Sequence, residues 1–182
     1  MNKLKIAGIA AVGLIAASAL PAQAADDVVE IRLVDNIDET RGYCLDVAGG
    51  KGTEAPIEKG LQAHTCYDYT GGLLEDQSFE TALIEQGQFK IPYFDVCMIA
   101  SAAESGASLQ LGTCEDSELQ LFSLQENGNL TLQSQPELCV TASSTEKKEG
   151  RGATPVHVMR PLSLQACSDD NKAYQAWYMY KL

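Results

Sequence analysis

Cys44-Leu45-Asp46-Val47, Cys97-Met98-Ile99-Ala100 and Cys139-Val140-Thr141-Ala142 each open a stretch that runs to a second cysteine and then to a glutamine-x-aromatic triplet. The closing segments are Leu61-Gln62-Ala63-His64-Thr65-Cys66, Leu109-Gln110-Leu111-Gly112-Thr113-Cys114 and Leu162-Ser163-Leu164-Gln165-Ala166-Cys167. The triplets are Gln77-Ser78-Phe79, Gln120-Leu121-Phe122 and Gln175-Ala176-Trp177. Two of the 4 Phe and the 1 Trp of the chain occupy the same station of this repeat, which chance does not readily produce.

Successive triplets lie 43 and 55 residues apart, long enough for several strands per unit. Phe89-Lys90-Ile91 and Leu130-Thr131-Leu132-Gln133 alternate apolar and polar residues behind turn signals at Gly87 and Asn127-Gly128-Asn129, as half-buried strands do. Capped stretches of helical period are scarce. The expected fold class is all-β, built from three similar units over residues roughly 28–80, 87–123 and 128–178.

The 6 Cys are an even count without a C-x-x-C pair, and the 2 His, His64 and His157, do not complete a zinc ligand set. Three disulfides are expected, and no metal or cofactor. If each unit is a strand cluster of its own, its two cysteines are neighbours: Cys44 with Cys66, Cys97 with Cys114, Cys139 with Cys167. Each such bridge stabilises by roughly 3 kcal/mol in the chain-entropy model.

Lys3 and Lys5, an apolar run from Ile6 to Leu20 and the small-x-small Ala22-Gln23-Ala24 read as a secretory signal peptide over residues 1–24. The run is about 15 residues, short of the ~20 that cross a bilayer. The mature chain is expected to begin at Ala25 and to be secreted or periplasmic. Removal of the two lysines takes the formal charge from -12 to -14. Such a charge opposes nucleic-acid binding and attachment to anionic membranes.

The three cysteine-bounded repeats closing on Gln-x-aromatic resemble the ricin B-type lectin family, and the chain is similar to a secreted bacterial member of it over nearly the whole mature length. The resemblance implies a β-trefoil, a six-strand barrel capped by three hairpins. It implies that Phe79, Phe122 and Trp177 pack in the shared core while the glutamines tie strands together. It also implies a carbohydrate-binding module for galactose-type or related glycans.

The stations at which such lectins hold sugar differ between the repeats. Two residues after the opening cysteine, where an Asp accepts from sugar hydroxyls, stand Asp46, Ile99 and Thr141. Two before the closing cysteine, where a ring covers the sugar, stand His64, Gly112 and Gln165. Gln62 matches the polar ligand four before Cys66, and Gln77 with its predecessor Asp76 matches the last station, where an amide is usual. The expectation is one site in the first repeat, made of Asp46, Gln62, His64, Asp76 and Gln77, with Asp46 on an exposed loop and Tyr67 or Tyr69 adding a ring.

Nothing in the sequence reads as catalytic. There is no Gly-x-Ser-x-Gly and no His-Glu-x-x-His, and among 25 acids the pair Asp46 and Asp76 carries little weight for glycoside hydrolysis. Glu146 to Gly152 reads as a solvated loop of mixed charge, and His157 as surface without a partner of interest. The rival to a lectin is a trefoil interaction subunit, a toxin-like targeting subunit or an enzyme inhibitor, with little sugar affinity and a protein as its partner.

Overall fold

A computed structural model describes residues 27–50, 52–67, 74–152 and 154–181. The expected signal peptide, the cleavage point before Ala25 and Tyr69 lie outside them. Each repeat contributes four strands in the same order. The first has β1 (Val28–Leu33), β2 (Tyr43–Val47), β3 (Leu61–Thr65) and β4 (Phe79–Glu80). The second has β5 (Lys90–Ile91), β6 (Val96–Ala100), β7 (Leu109–Gly112) and β8 (Phe122–Leu124). The third has β9 (Leu130–Leu132) and β10 (Gln135–Ala142), an added β11 (Lys148–Glu149), then β12 (Val158–Ala166) and β13 (Trp177–Tyr180). Among the described residues helix is confined to short turns such as Thr81–Ile84 and Lys172–Gln175.

The strand pattern follows from side-chain alternation. Leu45, Met98 and Val140, each one residue past an opening cysteine, are fully buried, as are Val47, Ala100 and Ala142 two further on. The period of two therefore turns the residue between them to the opposite face of the sheet. Phe79, Phe122 and Trp177 each begin the last strand of their repeat and are buried in one apolar core. Phe89 meets Phe79 and Phe122 edge to face at centroid distances of 6.3 and 6.2 Å. The Trp177 indole N–H donates to the carbonyl of Val140 at 2.8 Å, so the largest core residue leaves no polar group unpaired.

The three bridges are the local ones: Cys44–Cys66, Cys97–Cys114 and Cys139–Cys167. Beside each closing cysteine the repeat's glutamine side chain acts as a clamp. Gln77 donates to Thr65 O and accepts from Tyr67 N; Gln120 does the same with Thr113 and Glu115, and Gln175 with Ala166 and Ser168. Both flanking backbone groups of each bridge are thereby satisfied by one buried amide, which explains why Gln recurs.

The chain closes on itself where β13 pairs antiparallel with β1, Trp177 opposite Leu33. The third repeat is also fastened to the first by polar side chains. Asp38 accepts from Arg160 at 2.9 and 3.0 Å, from Lys147 at 2.7 Å and from the Tyr43 hydroxyl at 2.8 Å. Arg41, paired with Glu39 at 2.7 Å, donates to Val156 O at 2.6 Å and to Pro155 O at 3.3 Å.

Candidate functional site

The β2–β3 hairpin carries the site. Its register sets Asp46 opposite Gln62 and Cys44 opposite His64. Since Leu45, Val47, Leu61 and Ala63 take the core face, Asp46, Gln62 and His64 share the other. Gln77 comes up from beneath, so all five expected residues are brought together, in two layers.

The lower layer is sealed. Asp46 lies within a strand with 1% of its surface exposed, which corrects its expected place on an exposed loop. One carboxylate oxygen accepts from the Gln62 amide at 2.7 Å and the other from the Gln77 amide at 3.0 Å. Burial pushes its pKa well above the usual carboxylate range and the nearby Asp76 adds to this, while the two amide donors pull the other way. Asp46 thus acts on the surface through Gln62: a carboxylate accepts only, so the Gln62 amide must turn its NH2 inward, leaving its carbonyl for the other side.

Asp76 is also fully buried. One of its oxygens accepts from Gly52 N at 2.8 Å and the other has no hydrogen-bond partner, and burial raises its pKa. It lies so close to Gly50 that any side chain there would collide with its carboxylate. Asp76 therefore ties down Gly52 and crowds Gly50, and is turned inward at the station where an amide is usual. Gln77 is spent on Thr65, Tyr67 and Asp46.

The upper layer is aromatic. His64 stacks on Tyr67 with ring centroids 5.1 Å apart and 24° between planes, and His157 stands edge-on to both at 5.2 and 4.9 Å. The His64 Nδ1 lies 2.8 Å from Thr65 O, so that nitrogen carries the proton and donates. Burial lowers the His64 pKa to about 4, and burial also lowers that of His157. Near neutral pH the rings are uncharged, and His64, buried at 7% exposure, backs the Tyr67 ring stacked on it.

His157 is the residue that sequence reasoning missed. It arrives because the expected solvated loop is in part a hairpin: β11 pairs with β12, and β12 pairs with β3, placing Met159 opposite His64. Gly150 N donates to His157 O at 2.7 Å and Val158 N to the Thr65 hydroxyl at 2.8 Å, fixing the ring over the first repeat. The one signal in the sequence was length, since the third spacing is 55 residues against 43. A pocket of about 360 Å³ results, with Gln62, His64 and Tyr67 from the first repeat on one side and Arg151, His157 and Met159 from the third on the other.

The chain matches the ricin-type β-trefoil lectin domain over residues 34–177. It belongs to that family. No curated protein matches it. Among solved structures it is similar to the agglutinin from Abrus precatorius, with a TM-score of 0.58 at 12% identity, over 85% of this chain and 46% of that one. The chain thus spans about half of that agglutinin. It is similar to the C-half of the earthworm R-type lectin, solved with GalNAc, with a TM-score of 0.53 at 14% identity over 85% of this chain and 98% of that one. The β-trefoil lectin of the Vibrio vulnificus hemolysin/cytolysin, solved with N-acetyl-D-lactosamine, gives a TM-score of 0.51 at 16% identity over 87% and 100%. At these identities the likeness shows the β-trefoil fold.

The other two repeats of this ricin-type domain treat the same stations differently. In the second, Ile99 Cδ1 lies over Gly112, only 2.7 Å from where a side chain would begin, so a ring at that place would first have to displace Ile99. In the third, the Thr141 hydroxyl accepts from Gln175 at 2.9 Å and donates to Cys139 O at 2.9 Å. It is spent much as Asp46 is, below an open groove of about 550 Å³ lined by Ser144, Ser163, Gln165 and Tyr174.

Proposed function

We propose that this protein is an exported carbohydrate-binding module that recognises a galactose-type or related glycan through a single pocket in its first repeat. The observation that carries this reading is Gln62, oriented from below by Asp46, beside the neutral Tyr67 ring stacked on His64 on one wall of a small cavity. A platform for the C–H face and an amide for the hydroxyls are what a sugar needs. The sugars bound by the earthworm and Vibrio lectins support the galactose-type assignment. The module binds and does not catalyse, and cleavage near Ala24 delivers it to the periplasm or beyond.

One shallow site with small rings should hold a monosaccharide only in the millimolar range, about -4 kcal/mol. Calorimetry with galactose, N-acetylgalactosamine and their disaccharides tests this. Binding that vanishes in Gln62→Ala while Ile99→Ala and Thr141→Ala retain it supports the single site. Binding that survives Gln62→Ala and fails in Thr141→Ala moves it to the third-repeat groove.

The rival reading, a trefoil subunit that docks on a protein, is favoured by one observation: both carboxylates of the expected site, Asp46 and Asp76, are out of reach of a sugar hydroxyl. A glycan array that stays blank with folded, fully bridged protein would establish that reading over the lectin.

A further inference from the structure

The chain has four arginines, and three are consumed by the fold. Arg32 donates to Arg41 O and lies over the Tyr180 ring at 4.2 Å, Arg41 pairs with Glu39, and Arg160 with Asp38. Arg151 is exposed, pairs with no carboxylate among the described residues, and lines the first-repeat pocket. None of the residues lining that pocket is acidic, although the protein as a whole carries a formal charge of -12. The two carboxylates of the expected site do not line the pocket: Asp46 is buried and bonded to Gln62 and Gln77, and Asp76 is buried and bonded to Gly52 N.

The position of Arg151 is held by backbone. Gly150 N bonds to His157 O, and β11 and β12 pair immediately below, so Arg151 follows directly on a hydrogen-bonded residue at the start of the loop that joins them. Opposite it the pocket offers the second amide hydrogen of Gln62, while the Tyr67 hydroxyl donates to His64 Nε2 at 3.5 Å. A neutral sugar gives such a wall only hydroxyls, whereas an anion gains charge-assisted and bidentate bonds from a guanidinium.

We propose that the ligand of this pocket is an acidic glycan, one whose bound sugar carries or adjoins a carboxylate or a sulfate ester. This rests on the carbohydrate reading above and names its substrate class. Arg151 takes the anion from the third-repeat side, while Gln62 and the Tyr67 ring take the sugar ring from the first. The inserted hairpin is then a specificity element supplied by one repeat to the site of another.

The test uses the mature chain and three soluble glycans of one backbone: N-acetyllactosamine, its sialylated form and its 6-sulfated form. At about 50 mM salt, where charges are weakly screened, the preferred acidic form should bind about tenfold tighter than the neutral one. The preference should shrink at about 500 mM salt. Whether the sialylated or the sulfated form leads tells carboxylate from sulfate. Arg151→Gln, at an exposed position, should abolish the preference, and Arg151→Lys should restore part of it. Equal binding of neutral and acidic forms by the unmodified protein overturns the inference while the lectin reading stands, as does a preference that persists in Arg151→Gln. Failure of all three glycans to bind removes the lectin reading, and the inference with it.

Discussion

The first and second repeats share the disulfide, the glutamine clamp and the buried aromatic, yet one carries a pocket and the other a plug. The difference lies at the residue two beyond the opening cysteine. In the first repeat Asp46 takes a bond from both Gln62 and Gln77, which builds a polar layer beneath the surface. In the second, Ile99 offers the clamp nothing, and its side chain spreads over Gly112. Pseudo-symmetry thus preserves what stabilises a repeat and leaves free what faces outward.

The largest expected effect tests the shared part. Trp177→Ala should cost roughly 3–5 kcal/mol, the loss of a large buried aromatic, measured by urea denaturation of the oxidised protein. A cost near that of a surface substitution would break the equivalence of the three triplets. Removal of the Cys97–Cys114 pair by double substitution to serine should cost about 2–5 kcal/mol, read the same way.

The clamps sharpen the comparison. Gln120→Ala orphans Thr113 O and Glu115 N, whereas Gln77→Ala leaves Thr65 O its His64 donor but orphans Tyr67 N and strips a donor from the buried Asp46 carboxylate, the costlier loss. Gln77→Ala should therefore be the more damaging by roughly 1–3 kcal/mol in equilibrium unfolding. Equal costs would mean that Asp46 gains nothing from its lower partner.

The pH dependence separates the ring layer from the carboxylate layer. The folded His64 pKa of about 4 lies below its unfolded value of 6.5, so the unfolded chain binds the extra proton between them. The stability it contributes is full above 6.5, falls as pH drops through that window and is gone near 4, a loss of up to about 3 kcal/mol. Asp46 and Asp76, raised on folding, act oppositely: they favour the folded state at low pH and lose that contribution as pH rises above 3.8. His64→Phe keeps a ring without the titration, and Thr65 O still accepts from Gln77. Its melting temperature should fall less than that of the unmodified protein between pH 7 and 4.5. An identical fall in both would contradict the assignment to His64.

The smallest effect concerns Asp46 itself. Because it is buried, Asp46→Ala should destabilise as well as weaken binding, by about 1–3 kcal/mol for the orphaned amides. Asp46→Asn should cost under about 1 kcal/mol, since the clamped Gln77 can face the new carbonyl and Gln62 can turn over to face the new NH2. That turn changes what Gln62 shows the pocket, and sugar binding should drop about fivefold with the fold intact. Unchanged binding would mean that Gln62 is not set from below.

Much of this was legible in the residues because it depends on short-range periodicity. Alternation along β2 and β3 decides which side chains share a face, so the grouping of Asp46, Gln62 and His64 follows from the strand register, and matched cysteines within one repeat find each other as neighbours. The depth of Asp46 did not follow, since an aspartate at that station has the same spacing whether open or covered. Covering it took Gln62 from the adjacent strand and Gln77 from beyond the bridge.

His157 shows the other limit. Nothing local to Gly150-Arg151-Gly152 or to His157 ties them to a hairpin some 90 residues earlier; Arg41 does so by reaching the carbonyls of Pro155 and Val156, and Thr65 by binding Val158 N. The amino-acid sequence by itself determined three bridged all-β units and the first-repeat residues that face one way. Only the tertiary structure decided that two carboxylates are sealed and that a third-repeat hairpin walls the pocket. Burial and cross-repeat hydrogen bonds are set by which surfaces meet when the barrel closes, and that is not encoded in any one repeat.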